Sequence, residues 1–320
     1  MSKNITIIGG SGFIGTILTR LLLDQGYQVI IGDKKISGSY PNLHRQCDVR
    51  DKTSLEPVIN GADVIINLAA EHSDDVSPVS LYYDVNVSGA KNICDVAEKY
   101  NVKKIIFTST VAIYGFAEGA SSEETPVNPF NDYGQSKADA EIVFETWLNK
   151  NKDHKLQVIR PSVVFGEGNR GNVYNLLKQV SSGNFMMIGN GLNRKSMSYV
   201  ENIAAFIMYQ ISMGERHGIY NYADTPDFNV NDLICHIRKS MGEEGKIGFR
   251  IPYIVGIIAG ISFDVLAFIT YRKFPISKIR VEKFCADTVI NANKAHCSGY
   301  KPAISLADGL ARTIKHEFLK

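Results

Sequence analysis

At 320 residues, with 44% hydrophobic and 21% charged side chains, the chain is long enough for one large or two moderate domains with a real core. Its formal net charge of +2, without a basic stripe interleaved with aromatics, excludes an electrostatic nucleic-acid footprint. The cysteines, Cys47, Cys94, Cys235, Cys285 and Cys297, are scattered with no Cys-x-x-Cys pair, which speaks for reduced thiols over a disulfide framework or a metal site.

The amino terminus runs from "MSKN" straight into a strand with no signal-peptide pattern, so a cytoplasmic chain is expected. Strand-like runs follow at 4–10, 27–33, 62–70, 102–110 and 155–161, and helical patterns fill the gaps at 13–25, 80–99 and 132–150. Near-continuous β-branched strands separated by helices predict an α/β fold, a doubly wound parallel sheet with both faces covered. After Pro161 the alternation loosens, with helices near 172–182, 202–212 and 229–240 and short strands between. The predicted organisation is a nucleotide-binding domain over 1–165, to which parts of 196–225 return. A smaller, partly interleaved substrate region covers 166–320.

The stretch "IIGGSGFIG" places Gly9, Gly12 and Gly15 directly after the first strand and at the start of a helix. A dinucleotide needs glycine at each place: for a tight turn, for close backbone approach to a pyrophosphate and for close helix–sheet packing. The helix amino terminus then binds the anion. Strand, glycines, helix and second strand follow in the required order, so the loop is more than a plain strand-to-helix turn. Asp33 ends the second strand, where a carboxylate can accept both adenosine ribose hydroxyls and repel a 2′-phosphate, which favours NAD; Lys34 and Lys35 are the residues that would suit NADP. Asp48, in "CDVRD" after a third short strand, is placed for the adenine amino group. The remaining predicted cofactor contacts are Phe13, Ile14, Val49, Leu68, Ala69, Ala70 and Pro161, together with Tyr133 and Lys137.

In "NDYGQSKADAEIVFETW", Tyr133 and Lys137 are four apart and share one helix face with Ala140, Phe144 and Trp147. A core aromatic would account for Tyr133. It would not account for Lys137, because an ammonium on a buried face is costly without a task or a partner. A phenol of pKa about 10 serves as a base at neutral pH only if its anion is stabilised; a shift of roughly three units needs about 4 kcal/mol. An ammonium one helical turn away, together with the positive nicotinamide ring of a bound dinucleotide, can supply that. Thr110, at the end of "IIFTST", is placed either to share a hydrogen bond with a reacting hydroxyl or to cap the following turn.

Through Gly9, Gly12, Gly15, Asp33, Thr110, Tyr133 and Lys137, the whole chain resembles an extended short-chain dehydrogenase/reductase of the NAD-dependent sugar epimerase/dehydratase group. The runs "AAEHSDDVSPVSLYYDVNVSGAKN", "GNRGNVYNLLKQ", "NRKSMSYVENIAAF" and "KFPISKIRVEKFCADT" resemble bacterial 4-epimerases of polyprenyl-diphosphate-linked N-acetylglucosamine, which serve O-antigen synthesis. The resemblance implies a Rossmann fold, NAD, and interconversion of the N-acetylglucosaminyl and N-acetylgalactosaminyl forms of a diphospho-undecaprenol sugar. Related 4,6-dehydratases carry Asp-Glu after the catalytic threonine; here Val111 and Ala112 follow Thr110, so epimerisation is expected. Nucleotide-sugar relatives carry an Arg-Asp-aromatic pattern, then Val-x-Asp, where this chain has Lys195, Ser196 and Asn202. Arg170, Asn172, Arg194, Lys195 and Arg280 are the candidate substrate ligands beside Thr110; no metal site is expected.

"IPYIVGIIAGISFDVLAFITYRKF", 251–274, carries one charge between Ile251 and Ile269, Asp264. Gly256, Gly260 and Asp264 recur every four residues as a small, polar stripe, with Ile254, Ile257, Ile258, Ile261, Val265 and Phe268 largely elsewhere. A span needs ~20 apolar residues, and an acid at its centre costs roughly 2.5–3.5 kcal/mol. A helix or helix pair in the interface fits better, and Arg272, Lys273, Lys278, Arg280 and Lys283 suit the anionic inner face of the cell membrane. A buried helix or a homodimer interface are the alternatives for this segment. For the chain they are a soluble UDP-hexose or UDP-N-acetylhexosamine 4-epimerase, and a non-catalytic NAD-binding regulator.

Overall fold

The computed structural model describes residues 2–73, 76–115, 119–183, 185–270, 272, 274 and 276–319. The chain divides into two compact units, the first formed by Met1–Val164, Ser198–Ala223 and Ile290–Ile304.

In this unit the expected strands and helices alternate as β1 (Asn4–Ile8), α1 (Phe13–Asp24), β2 (Gln28–Asp33), β3 (His44–Gln46), α2 (Lys52–Ile59), β4 (Val64–Asn67), α3 (Gly89–Lys99), β5 (Lys104–Thr108), α4 (Asp132–Lys150), β6 (Lys155–Pro161), α5 (Val200–Ser212) and β7 (His217–Tyr222). The helix predicted over 80–99 is interrupted. Ser80–Tyr83 is α-helical, and Asp84–Ser88 forms a π-helical turn before α3.

The seven strands lie in the order β7-β6-β5-β4-β1-β2-β3, and every pairing is parallel. Parallel strands need crossover helices, and these cover both faces. On one face Phe144 and Trp147 of α4, Ile93 and Val96 of α3 and Val58 of α2 meet Ile65, Phe107 and Val158. On the other, Leu18 and Leu22 of α1 and Ile203, Phe206 and Ile207 of α5 meet Ile7, Ile31 and Ile159. The strands carry no alternation because they are buried on both sides; β4 and β5 are buried at every residue. The doubly wound parallel sheet is the one the sequence pattern predicts.

The second unit comprises Phe165–Met197, Asp224–Val289 and Ser305–Lys320. Helices Asn172–Ser181, Val230–Ser240 and Leu306–Phe318 pack together. Arg194, Lys195 and Met197 pair antiparallel with Asn229, Phe228 and Asp224, and Met187–Ile188 pairs parallel with Arg250–Ile251.

Also in this unit, the apolar segment forms one helix, Tyr253–Thr270, among whose described residues only Gly256 and Gly260 are buried. The stripe of small and polar residues is its packing face. A side-chain carbon at Gly256 would lie 2.6 Å from Ile188, and one at Gly260 only 2.7 Å from the Lys278 nitrogen. The Asp264 carboxylate then accepts the backbone N–H of Lys278 at 2.9 Å, at the start of the helix Lys278–Cys285.

Candidate active site

The glycine loop is shaped by close contacts that only hydrogen allows. Gly9 takes φ +80°, and a Cβ there would stand 2.6 Å from the Ala69 nitrogen, so the loop lies against the segment Leu68–Ala69 that leaves β4. At Gly15 a Cβ would meet the Gly10 backbone at 2.6 Å, which fixes the approach of α1 to the loop. Gly12 is different: a Cβ there meets only the Gly9 carbonyl, at 3.2 Å, and the residue is exposed.

Asp33 binds the loop from β2. Its Oδ2 accepts from the Ser11 N–H at 3.1 Å and its Oδ1 from the Lys35 N–H at 3.0 Å. The Ser11 hydroxyl is buried and has no hydrogen-bond partner among the described residues. A tight cradle at a helix start, an orphan hydroxyl and a carboxylate one strand away fit a dinucleotide with free ribose hydroxyls.

Asp48 is engaged elsewhere in part. Arg50 donates from Nε to both carboxylate oxygens, at 3.0 and 3.1 Å, and from Nη2 to Oδ2 at 2.6 Å, which holds Asp48 below its ordinary pKa. Anything at this edge therefore meets an Asp48–Arg50 pair. Val49 is buried against Gly89, where a Cβ would lie 2.7 Å from it.

α4 begins with the Asn131 side chain accepting the Gly134 N–H at 2.9 Å. Gly134 presses on the turn 111–114, a Cβ there reaching 2.8 Å from the Ala112 carbonyl. This seats Tyr133 half-buried, its ring 6.4 Å from that of Tyr82. Lys137, one turn on, is 2% exposed; its Nζ donates to the Thr108 carbonyl at 2.7 Å and lies 4.2 Å from the Phe107 ring centroid. Burial drives its pKa from 10.5 down to about 7, opposed by the charge of Glu141.

Thr110 is the cap of the turn 111–114, its Oγ1 accepting from the Ala112 N–H at 3.1 Å. That bond uses a lone pair and leaves the O–H to donate, so capping and substrate contact are compatible. Beside it, the hydroxyls of Thr108 and Ser109 are buried with no hydrogen-bond partner among the described residues. Pro161 ends β6 and is buried.

One site residue is absent from the sequence reading. Asn86, buried in the π-helical turn, accepts the Glu71 N–H at 2.9 Å and donates to the Glu71 carbonyl at 3.1 Å and the Ser136 hydroxyl at 2.9 Å. Ser136 in turn donates to the Tyr133 carbonyl at 2.9 Å. Asn86 thus ties the chain after β4 to the turn of α4 that carries Tyr133. The signal was available: Asn86 shares the spacing of Tyr82, Ala90 and Ile93 on one helix face, and an amide buried there needs partners.

The candidate substrate ligands other than Thr110 belong to the second unit and fall into two groups. Arg170 pairs with Glu317 at 3.0 Å and lies over Tyr174 at 4.4 Å, and Asn172 is the exposed first residue of a helix. Around the helix Lys278–Cys285, Arg194 faces Asp227 at 3.3 Å, and Arg280 donates to the Phe274 carbonyl at 3.1 Å. Lys195 differs from these. Its Nζ donates to the carbonyls of Lys283 and Ala286, at 2.9 and 2.6 Å, closing the end of that helix, and burial lowers its pKa to about 8.

Residues 5–223 match the model of the NAD dependent epimerase/dehydratase family. Over 100% of its length, and 96% of the relative's, the chain is 46% identical to the N-acetyl-alpha-D-glucosaminyl-diphospho-ditrans,octacis-undecaprenol 4-epimerase of Escherichia coli O157:H7. It is 27% identical to a putative UDP-glucose 4-epimerase of Methanocaldococcus jannaschii, with 97% of each chain covered. Among solved structures, the fold is similar to the UDP-glucose 4-epimerase of Thermotoga maritima (TM-score 0.77, 22% identity, 98% of both chains). It is also similar to the UDP-glucose 4-epimerase of Thermus thermophilus in complex with NAD (TM-score 0.75, 20% identity, 98% of both chains).

Proposed function

The chain belongs to the NAD dependent epimerase/dehydratase family, and we propose that it is the 4-epimerase of an N-acetylhexosamine carried through diphosphate on a polyprenyl tail. The observation that carries the lipid-linked substrate is the helix Tyr253–Thr270, whose apolar side chains are left uncovered beside a basic segment. Full-length identity of 46% to an enzyme named for such a substrate supports the same reading.

Gly9, Gly12, Gly15 and Asp33, with Tyr133 and Lys137, are the residues that would hold NAD, which when bound supplies reversible acceptance of hydride from the sugar C4. In the oxidising half, the Tyr133 phenolate takes the proton of the C4 hydroxyl as that carbon becomes a ketone. The Thr110 O–H donates to the same oxygen and holds it in place. After the ketone has turned over, Tyr133 returns the proton to O4 and the opposite epimer results. The two halves are each other's reverse, so the cycle consumes no reductant. Lys137 makes the phenolate accessible: its ammonium stands one helical turn behind in a dry pocket, where charge stabilisation is strong. Val111 and Ala112 leave no carboxylate after Thr110 to move protons at C5 and C6. Arg170, Arg194 and Arg280 are the diphosphate ligands in this reading, and Asn172 offers its amide; Lys195 acts by fixing the helix that carries Arg280.

The helix Tyr253–Thr270 lies in the lipid interface on the inner face of the cell membrane, its Gly256–Gly260–Asp264 stripe packed on protein and the other side in acyl chains. Arg272, Lys278 and Lys283 meet the anionic headgroups; Lys273 lies outside the described residues.

The test offers purified enzyme a short polyprenyl-diphosphate N-acetylglucosamine and, separately, UDP-N-acetylglucosamine. Turnover of the lipid-linked sugar is expected, with Tyr133→Phe retaining NAD and losing activity by ~10²–10⁴. Turnover of the UDP sugar alone overturns the substrate; turnover of neither, with NAD tightly held, returns the chain to a regulator.

A further inference from the structure

The face of α4 that carries Tyr133 and Lys137 continues one turn further to Glu141, a buried carboxylate for which the proton transfers above have no use. Side chains four apart on a helix are neighbours, so Glu141 stands to Lys137 as Lys137 stands to Tyr133. An ammonium in a dry surround, with a carboxylate on one side and a neutral phenol on the other, would pair with the carboxylate. That pairing would draw Lys137 down the helix and away from the phenol.

The structure contains the group that prevents it. Arg160 of β6 grips Glu141 at both oxygens, from Nε at 3.0 Å and from Nη2 at 2.6 Å, and both side chains are almost fully buried. Arg160 is itself fixed. Its Nη1 donates to the Tyr114 hydroxyl at 2.8 Å, that hydroxyl donates to Asn221 Oδ1 at 2.7 Å, and the Asn221 N–H donates to Glu123 at 2.7 Å. With Glu141 so occupied, Lys137 bonds the Thr108 carbonyl instead.

We propose that Arg160 is a positioning residue for the Tyr133–Lys137 pair: by engaging both oxygens of Glu141, it keeps that carboxylate from capturing Lys137 and leaves the ammonium to the phenol. The inference rests on reading Tyr133 and Lys137 as the proton-handling pair. Around Lys137 stand Tyr133 and Glu141 on its own helix. Arg160 and Tyr114 come from β6 and the turn 111–114, and on α3 burial keeps the Cys94 thiol protonated. Tyr82 lies beside Tyr133, whereas Tyr83 and Asp132 bond each other at 3.0 Å at the start of α4. Glu141 is near enough for its charge to act on Lys137 against the effect of burial, which is the competition that Arg160 restrains.

The readout is the ionisation of the Tyr133 phenol in the NAD-loaded protein, followed by the ultraviolet tyrosinate band of each variant against the same variant carrying Tyr133→Phe. No sugar is present, so the outcome does not depend on the substrate. In the wild type the phenol should ionise below its ordinary value; if it does not, the catalytic pair itself is misread. Arg160→Met should raise that ionisation by about one pH unit or more, and turnover at neutral pH should fall ~10-fold with KM little changed. Adding Glu141→Met to Arg160→Met removes the competitor and should return the phenol to its wild-type value. Glu141→Gln alone should not raise it, and this arm decides the matter if Arg160→Met fails to fold. The proposal is wrong if Arg160→Met titrates like the wild type, if the double variant stays with Arg160→Met, or if Glu141→Gln raises the phenol as Arg160→Met does. A merely structural role predicts the last two results.

Discussion

Lys137 answers two opposed demands. In the proposed mechanism its ammonium must be charged to favour a phenolate, yet burial lowers its pKa to about 7. Ionisation of Tyr133 in that mechanism relieves the conflict by setting a second anion one turn from the ammonium, on the side away from Glu141. The cost of the resting state can be measured. A lysine whose native pKa is near 7 and whose unfolded value is 10.5 binds fewer protons folded than unfolded across that window, so wild-type stability rises with pH through it. Lys137→Met removes the slope while keeping much of the volume. Loss of the bond to Thr108 offsets part of the gain, by about 1 kcal/mol. The variant should nonetheless exceed the wild type in denaturant stability by roughly 1–3 kcal/mol at about pH 7, and by clearly less near pH 10. It should also be inactive. Parallel stability curves for the two proteins between those pH values would show that Lys137 is not held as described.

At the scale of the element, the glycine loop separates two uses of the same residue. Gly15 lets α1 touch the Gly10 backbone, and a methyl group there meets only main-chain atoms that cannot move aside. Gly12→Ala meets one carbonyl at 3.2 Å and otherwise points outward. Gly15→Ala should therefore lower both melting temperature and NAD retention, whereas Gly12→Ala should lose NAD at least ~10-fold with stability changed by less than about 1 kcal/mol. Equal melting losses in the two would remove the distinction. The loop, the sheet and the Tyr133–Lys137 face were legible because each is local: a spacing, a period or a strand end carries it. Lys195 stands out in sequence as a candidate substrate ligand because its charge is visible there, whereas the helix end it closes, at Lys283 and Ala286, is nearly 90 residues away. Arg160 and Glu141 were passed over for the same reason. Their pairing crosses from β6 to α4, although a tyrosine, lysine and glutamate spaced by four already mark a buried acid that needs a partner. The greasy segment shows the opposite case. Gly256, Gly260 and Asp264 repeat every four residues, so the packing face could be read from the chain and its partner, Lys278, could not.

For the molecule as a whole, a net charge of +2 is too small to bring it to a membrane, so the proposed docking must rest on local features. The helix Tyr253–Thr270 supplies them: Ile254 is 70% exposed, Ile258 59% and Phe268 81%, a continuous apolar surface of a kind that water disfavours. At 18 residues it measures ~27 Å, short of a bilayer core of ~30 Å, and Asp264 is tied to Lys278 beside it. Burial in the interface keeps that bond and covers the hydrocarbon. The chain should therefore float with vesicles containing anionic lipid and come off in alkaline carbonate, which a spanning helix would resist. Ile258→Glu with Val265→Glu should leave folding and NAD binding intact. Each replaces an exposed apolar side chain and repels anionic headgroups, so vesicle binding should drop ~10–100-fold. Raising salt should weaken the wild type only in part, because the apolar share of the binding is not screened. Unchanged flotation of the double variant would mean that the helix serves another surface, and complete release of the wild type by salt alone would give the basic residues the whole task.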